Sequence, residues 1–184
     1  KNLITYYKNE GFRDAVIVSD SIYFSENKKE MSILINVEEG DRYYFRNILF
    51  EGNEKYSDED LASIISIEKG ENYNFEKITK GKGVIEQYLY NDGHLFNRIN
   101  FPERPIGKDS VDVQFVIYEG EPVKVNRVNI IGNTKTNDKV IRRELKIKPG
   151  NIFNYSLVER SQRDISILNY FSEVEMKIDV RDEE

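Results

Sequence analysis

Gly52–Phe75 reads GNEKYSDEDLASIISIEKGENYNF, and Gly132–Tyr155, eighty residues on, reads GNTKTNDKVIRRELKIKPGNIFNY. The correspondence runs beyond these stretches. Met31, Ile33, Ile35 and Val37 fall on Val111, Val113, Phe115 and Ile117, the same alternating apolar face twice. Glu39-Gly40 falls on Glu119-Gly120, Asp58 on Asp138, Ile67 on Ile147, Gly70 on Gly150 and Asn74 on Asn154. A register kept through turns, glycines and strand faces marks an internal repeat, and a repeat decides the architecture before any single element does. A shorter echo closes three helical patterns: YYKNEGF at Tyr6–Phe12, QYLYNDG at Gln87–Gly93 and LNYF at Leu168–Phe171. The chain therefore reads as the C-terminal part of one unit (1–40), a complete unit (41–120) and the N-terminal part of a third (121–184) that lacks its last strand.

The complete unit has a readable local grammar. Tyr44–Phe50 is rich in aromatic and β-branched residues and ends at the turn Glu51-Gly52-Asn53, as a strand should. Ser57 with Asp60 three residues later is a capping-box pattern, followed by Leu61, Ile64 and Ile65 at helical spacing, with a stop at Gly70. Asn74 opens a second helix with Ile78, Ile85, Tyr88 and Leu89 on one face and Gly93 at its end. Gly81 and Gly83 weaken that helix unless small residues allow close packing. A strand at Leu95–Phe101, a turn carrying Pro102 and Pro105, and an alternating strand at Val111–Tyr118 complete the order β-α-α-β-β. The third unit repeats it: a strand at Val125–Ile131, an Asn137-capped helix, and a helix capped by Asn154 or Ser156 with Leu157, Ser161, Ile165 and Leu168 on one face. An alternating strand at Val174–Val180 follows. Two helices between the first two strands bring the chain down and back, so the third strand runs parallel to the first. The helix pair covers one sheet face, giving α+β units of two layers.

Composition narrows the function. The 184 residues carry a net charge of −6 with both signs interspersed, which lacks the basic footprint of a nucleic-acid binder. Without cysteine there is no disulfide, thiolate metal site or cysteine nucleophile, and the one histidine, His94, cannot build a multi-histidine metal centre. His94 reads as a surface or packing residue. Gly81-Lys82-Gly83 lies inside a helical pattern without P-loop spacing. Glu38-Glu39 and Asp182-Glu183-Glu184 resemble metal ligands only in charge, and solvated turn carboxylates look the same. No catalytic residues, metal or cofactor is expected. No apolar run is long enough to cross a bilayer, and the opening KNLITYYKNEGF has no signal-peptide core.

Tandem β-α-α-β-β units of this length that open strand–EGN–acidic helix resemble POTRA (polypeptide transport-associated) domains. The stretch VNRVNIIGNTKTNDKVIRRELKIKPGNIFNYSLVERSQRDISILNYFSEVEMKIDV at Val125–Val180 resembles the membrane-proximal unit of the BamA family of outer-membrane barrel-assembly proteins. The resemblance implies a three-stranded mixed sheet on two antiparallel helices, the third strand central and the first and second at the edges. It implies a periplasmic location in a Gram-negative envelope, a C-terminal membrane β-barrel on the same chain, and as partners unfolded outer-membrane proteins and accessory lipoproteins of the assembly complex.

An edge strand offers unpaired N–H and C=O groups to an incoming extended peptide, largely regardless of its sequence. The second strands are the expected docking edges, with Val16, Val18, Ser19 and Ser21 in the first unit and Val174, Met176, Ile178 and Val180 in the third. Pro102 and Pro105 blunt the central unit's edge. Arg142 and Arg143 are candidate partner contacts, or simply part of an exposed charged face; Glu173, beside the Phe171 turn, is a third candidate. Gly40 and Gly120 sit in joints of a few residues and are the expected hinge positions. The competing readings are a structural spacer, or the POTRA region of a two-partner secretion or other translocation transporter.

Overall fold

The computed structural model describes residues 2–180. They form two compact units, one from residues up to Ile85 together with Ile99–Tyr118, the other from Glu86–Arg98 with residues from Glu119 onward.

In the first unit, Asn2 caps the short helix α1 (Leu3–Asn9) by accepting from the Ile4 N–H. The strands β1 (Val16–Phe24) and β2 (Met31–Glu38) form an antiparallel hairpin, Val16 opposite Glu38 and Phe24 opposite Met31. β3 (Tyr44–Glu51) opens the complete repeat, and α2 (Asp58–Ile64) follows with the expected capping box. Ser57 Oγ accepts from the Asp60 N–H, and Asp60 accepts from the Ser57 N–H. α3 (Phe75–Asn91) begins at Asn74, whose Oδ1 accepts from the Lys77 N–H.

The second-strand region departs from expectation. Only β4 (Arg98–Asn100) is extended in place of Leu95–Phe101, and the proline segment is itself a strand, β5 (Glu103–Ile106). β6 (Ser110–Tyr118) lies between β3, to which it is parallel, and β4 with β5, the latter antiparallel with Pro105 opposite Val111. The sheet is three positions wide but holds four strands, because one edge is split. Pro105 fits there because an edge strand loses no central ladder bond when it lacks an N–H.

The core of this sheet follows from alternation. Val111, Val113, Phe115 and Ile117 point from β6 into the layer closed by Leu61, Ile65, Ile78 and Ile85, all buried. Gly81 belongs to that face: a Cβ there would lie 3.2 Å from Ile65 Cγ2 and 3.6 Å from the Phe115 ring, whereas Gly83 faces open space. Tyr88, expected on the buried face, is 41% exposed. The face runs Ile78, Gly81, Ile85 and Leu89 instead, with Tyr88 outside it. Gly52 has φ +79°, and a Cβ there would stand 2.1 Å from the Ile117 carbonyl oxygen, so the EGN turn tolerates no side chain.

In the second unit, α4 (Asp138–Glu144) is capped by Asn137 and α5 (Tyr155–Ile167) by Asn154 rather than Ser156. The buried face of α5 is Val158, Ser161 and Ile165; Leu157 is exposed, one position off the expected stripe. Ser161 holds this face down with a polar group, its Oγ accepting from the Lys146 N–H at 2.8 Å and donating to the Leu157 carbonyl at 2.6 Å. Val125–Ile131 and Val174–Val180 are not strands; Lys124, just before the first segment, forms an isolated bridge with Ile152, and Val125 exchanges backbone hydrogen bonds with Asn151 and Gly150. Both were expected to flank a central strand, and among the described residues no such strand is present to pair with them.

Candidate functional site

The first expected docking edge is a strand. β1 is paired along one side by β2, and a bulge between Ile17 and Ser19 leaves Val18 without an opposite residue. Val16 and Val18 are exposed, Val18 by 63%, and Ser21 is half-buried. Ser19 is engaged across the hairpin, its Oγ accepting from Asn36 Nδ2 at 2.8 Å. Four of the expected residues therefore share one strand, nine residues long, whose second backbone side has no strand partner among the described residues.

In the complete repeat the two edges are less open. The start of β3 is covered by its own following loop: the Phe45 N–H donates to the Glu71 carbonyl at 2.9 Å, and the Gly70 N–H to the Phe45 carbonyl at 2.7 Å. On the far side, β4 and β5 are broken at Pro102, whose carbonyl accepts from the Gln114 N–H of β6 at 3.1 Å. The sheet also carries an ion pair away from the helix layer. Arg46 grips Asp112 with two hydrogen bonds, Nε to Oδ1 at 2.8 Å and Nη2 to Oδ2 at 2.5 Å. That bidentate contact holds the Asp112 carboxyl below its ordinary value and the guanidinium above its own.

A second polar cluster ties the start of the first docking segment to β5. Arg13 Nε donates to Glu103 Oε2 at 2.7 Å, Arg13 Nη1 to Asp14 at 2.5 Å, and the Tyr73 hydroxyl to Glu103 Oε1 at 2.9 Å. Burial of Arg13 opposes its charge, but its hydrogen bond to Glu103 outweighs this and raises its pKa. Burial first, then the neighbouring Glu103 carboxylate, pushes the Tyr73 phenol far up, so that it stays protonated and donates to Glu103. Nearer the helices, the Lys77 ammonium contacts Glu71 and lowers that carboxyl.

In the second unit, the expected residues Val174 and Met176 line a groove of about 390 Å³ with Val128, Ile130, Ile141 and Ile165. The Val174 carbonyl accepts from Gln162 Nε2 at 2.7 Å, while Ile178 and Val180 are exposed. Glu173 sits on the rim of the same groove. Arg142 is turned inward along its own helix, donating to Asp138 at 2.6 Å and to the Val128 carbonyl at 3.3 Å, and Arg143 pairs with Glu144 at 3.0 Å. Gly40 and Gly120 both adopt positive φ, +73° and +69°. His94 is buried, with Nδ1 2.8 Å from the Gly120 carbonyl, a packing role. No cluster of metal-ligating side chains occurs among the described residues, and no described helix is long and apolar enough to cross a membrane; Asp182–Glu184 lie outside the described residues.

Sequence reasoning missed the Arg13–Glu103–Tyr73 cluster, since nothing local in KNEGFRDA or FPERPI signals a partner ninety residues away.

The fold described above coincides with a known repeat. Residues 43–120 and 123–184 each match the POTRA family model, described as surface antigen variable number repeat. The chain belongs to the POTRA family. It is 28% identical over 173 residues to the outer membrane protein assembly factor BamA of Neisseria meningitidis, covering 92% of this chain and 22% of that protein. It is 29% identical over 181 residues to BamA of Nitratidesulfovibrio vulgaris, covering 96% and 23%. The chain thus spans under a quarter of these relatives' length. Among solved structures, POTRA3-5 of Haemophilus influenzae BamA superposes with a TM-score of 0.78 at 23% identity, covering 96% of this chain and 70% of that one, which fixes the fold.

Proposed function

We propose that this POTRA segment is a periplasmic scaffold of an outer-membrane β-barrel assembly protein, without catalysis of its own. It docks unfolded barrel precursors as added strands and offers a surface to accessory subunits. The BamA relatives support the assembly role. The docking mode rests on one observation: β1 is a nine-residue exposed strand paired, among the described residues, on one side only. Backbone pairing there is indifferent to the client's side chains, as a many-client scaffold requires. Val16, Val18, Ser19 and Ser21 form this edge, and Val174–Val180 is its counterpart once a central strand supports it. Arg142, Arg143 and Glu173 are the places for accessory contacts, and Gly40 and Gly120 the points at which the joints bend.

The spacer reading has its own support, because Arg13 anchors the start of the β1 segment to Glu103 and resists movement there. Titrating the isotope-labelled chain with an unfolded peptide from a membrane β-barrel separates the two. Amide shifts concentrated on Val16–Phe24 are expected; shifts confined to loops and helices would leave the spacer reading standing.

A further inference from the structure

The asparagine–x–glycine ends of α1 and α3 take no part in strand docking, yet each makes the same three contacts. At the end of α1, the Asn9 carbonyl accepts from Asn74 Nδ2 at 2.9 Å and Asn9 Oδ1 from the Glu76 N–H at 3.0 Å. Two residues on, the Gly11 carbonyl accepts from the Tyr43 N–H at 2.9 Å. At the end of α3, the Asn91 carbonyl accepts from Asn154 Nδ2 at 2.6 Å and Asn91 Oδ1 from the Ser156 N–H at 2.9 Å. Two residues on again, the Gly93 carbonyl accepts from the Val123 N–H at 3.0 Å. Each acceptor residue has its counterpart 82 positions along the chain and each donor 80, so one contact set is used twice.

Both glycines take left-handed φ, +103° and +91°, which turns the chain out of the helix and aims the carbonyl at its partner. The approach is close. A Cβ on Gly93 would come within 2.6 Å of Ile152 Cγ2, and one on Gly11 within 2.9 Å of Arg42 Cγ. The donor asparagine does two jobs. Asn154 Oδ1 caps α5 through the Leu157 N–H at 2.9 Å while its Nδ2 reaches Asn91, and Asn74 does the same for α3. The first-turn N–H groups of a helix have no partner within it, so Asn9 and Asn91 supply acceptors that those groups need.

We infer that the Asn-x-Gly helix end is a recognition surface for a following unit of the same kind, clasping the start of its second long helix. It is this clasp, rather than linker length, that limits movement at each joint. The end of α5 supplies the contrast. Ile165 is buried as Leu89 is, which places Ile167 where Asn91 stands and Asn169, with φ +55°, where Gly93 stands. Ile167 is 67% exposed and has no side-chain acceptor, so this helix end cannot hold another such unit in the same way.

Capping and clasping can be separated in the full chain. Asn154→Asp keeps the capping oxygen but removes the Nδ2 donor, so hydrogen exchange at the Ser156 and Val123 amides should quicken about tenfold while α5 stays protected at Val158–Ile165. Asn91→Asp keeps both acceptors and should leave those amides close to wild type, whereas Asn91→Ala should match Asn154→Asp. Asn74→Asp should act in the same way on Glu76 and Tyr43. The clasp is refuted if Asn154→Asp leaves Ser156 and Val123 as protected as before. It is also refuted if α5 loses protection together with them, since Asn154 would then be a cap alone.

Discussion

The complete repeat and the third unit share one sequence plan, yet among the described residues only the complete repeat has a sheet. In residues 43–118, β3 and the split β4–β5 edge lie against β6 and bury Phe45 and Ile99 against it. In the third unit, Val174–Val180 alternates at least as cleanly, yet among the described residues neither it nor Val125–Ile131 is paired as a strand, and both border a groove floored by Ile141 and Ile165. Alternation says which side chains will face inward; it does not supply the hydrogen-bonding neighbour that makes a strand. In this repeat that neighbour is the central strand, and the edges are its dependants.

The sharpest way to break the comparison is to weaken β6. Phe115 is fully buried and stacks on Phe50 with ring centroids 5.6 Å apart. Phe115→Ala should cost about 4 kcal/mol in urea unfolding. By amide exchange, the loss should fall on Tyr44–Glu51 and Glu103–Ile106, making the complete repeat resemble the third unit.

A smaller effect uses the paired EGN and IGN turns. Gly52→Ala meets both a left-handed φ and the Ile117 carbonyl, and should cost about 3 kcal/mol. Gly132→Ala has φ +91° but nothing within 4 Å of the new methyl, and should cost about 1 kcal/mol. Equal values from thermal unfolding would mean that the backbone angle, and not the central strand, is what demands glycine.

The smallest effect is electrostatic. The Asp112 carboxyl is held below the ordinary 3.8, first by its hydrogen bond to Arg46. A depressed carboxylate stabilises the fold fully above its unfolded value and loses that contribution as pH falls through the folded one. The wild-type sheet should therefore weaken below the ordinary carboxylate value relative to about pH 5, and Arg46→Met should flatten that slope. The third unit's helices should show no matching change, since neither group of this pair lies there.

Much of this was legible in the residues. The capping box at Ser57 and Asp60, the caps at Asn74, Asn137 and Asn154, and the β6 face all follow from local rules of spacing and hydrogen bonding. The parallel relation of β3 and β6 followed from the chain's connectivity. What escaped was decided at a distance. Pro102 and Pro105 read as a turn because proline breaks ladders, and only the edge position makes β5 possible. Leu157 and Val158 are equally apolar, and the packing of α5, not its periodicity, chose between them. For the docking surface proposed above, the β1 strand was visible in outline, while the anchoring of Arg13 to Glu103 was not.

The split edge of the complete repeat has one more consequence. β4 offers three residues and β5 four, with a kink between them and a proline in the second. A wandering strand gains too few rungs there to stay, and a second copy of the chain finds no long straight border on which to begin a fibre. For a protein with the role proposed above, surrounded by unfolded strand-forming chains, that border works as a quarantine line: sticky polypeptides are kept from gathering on the one sheet that is already complete.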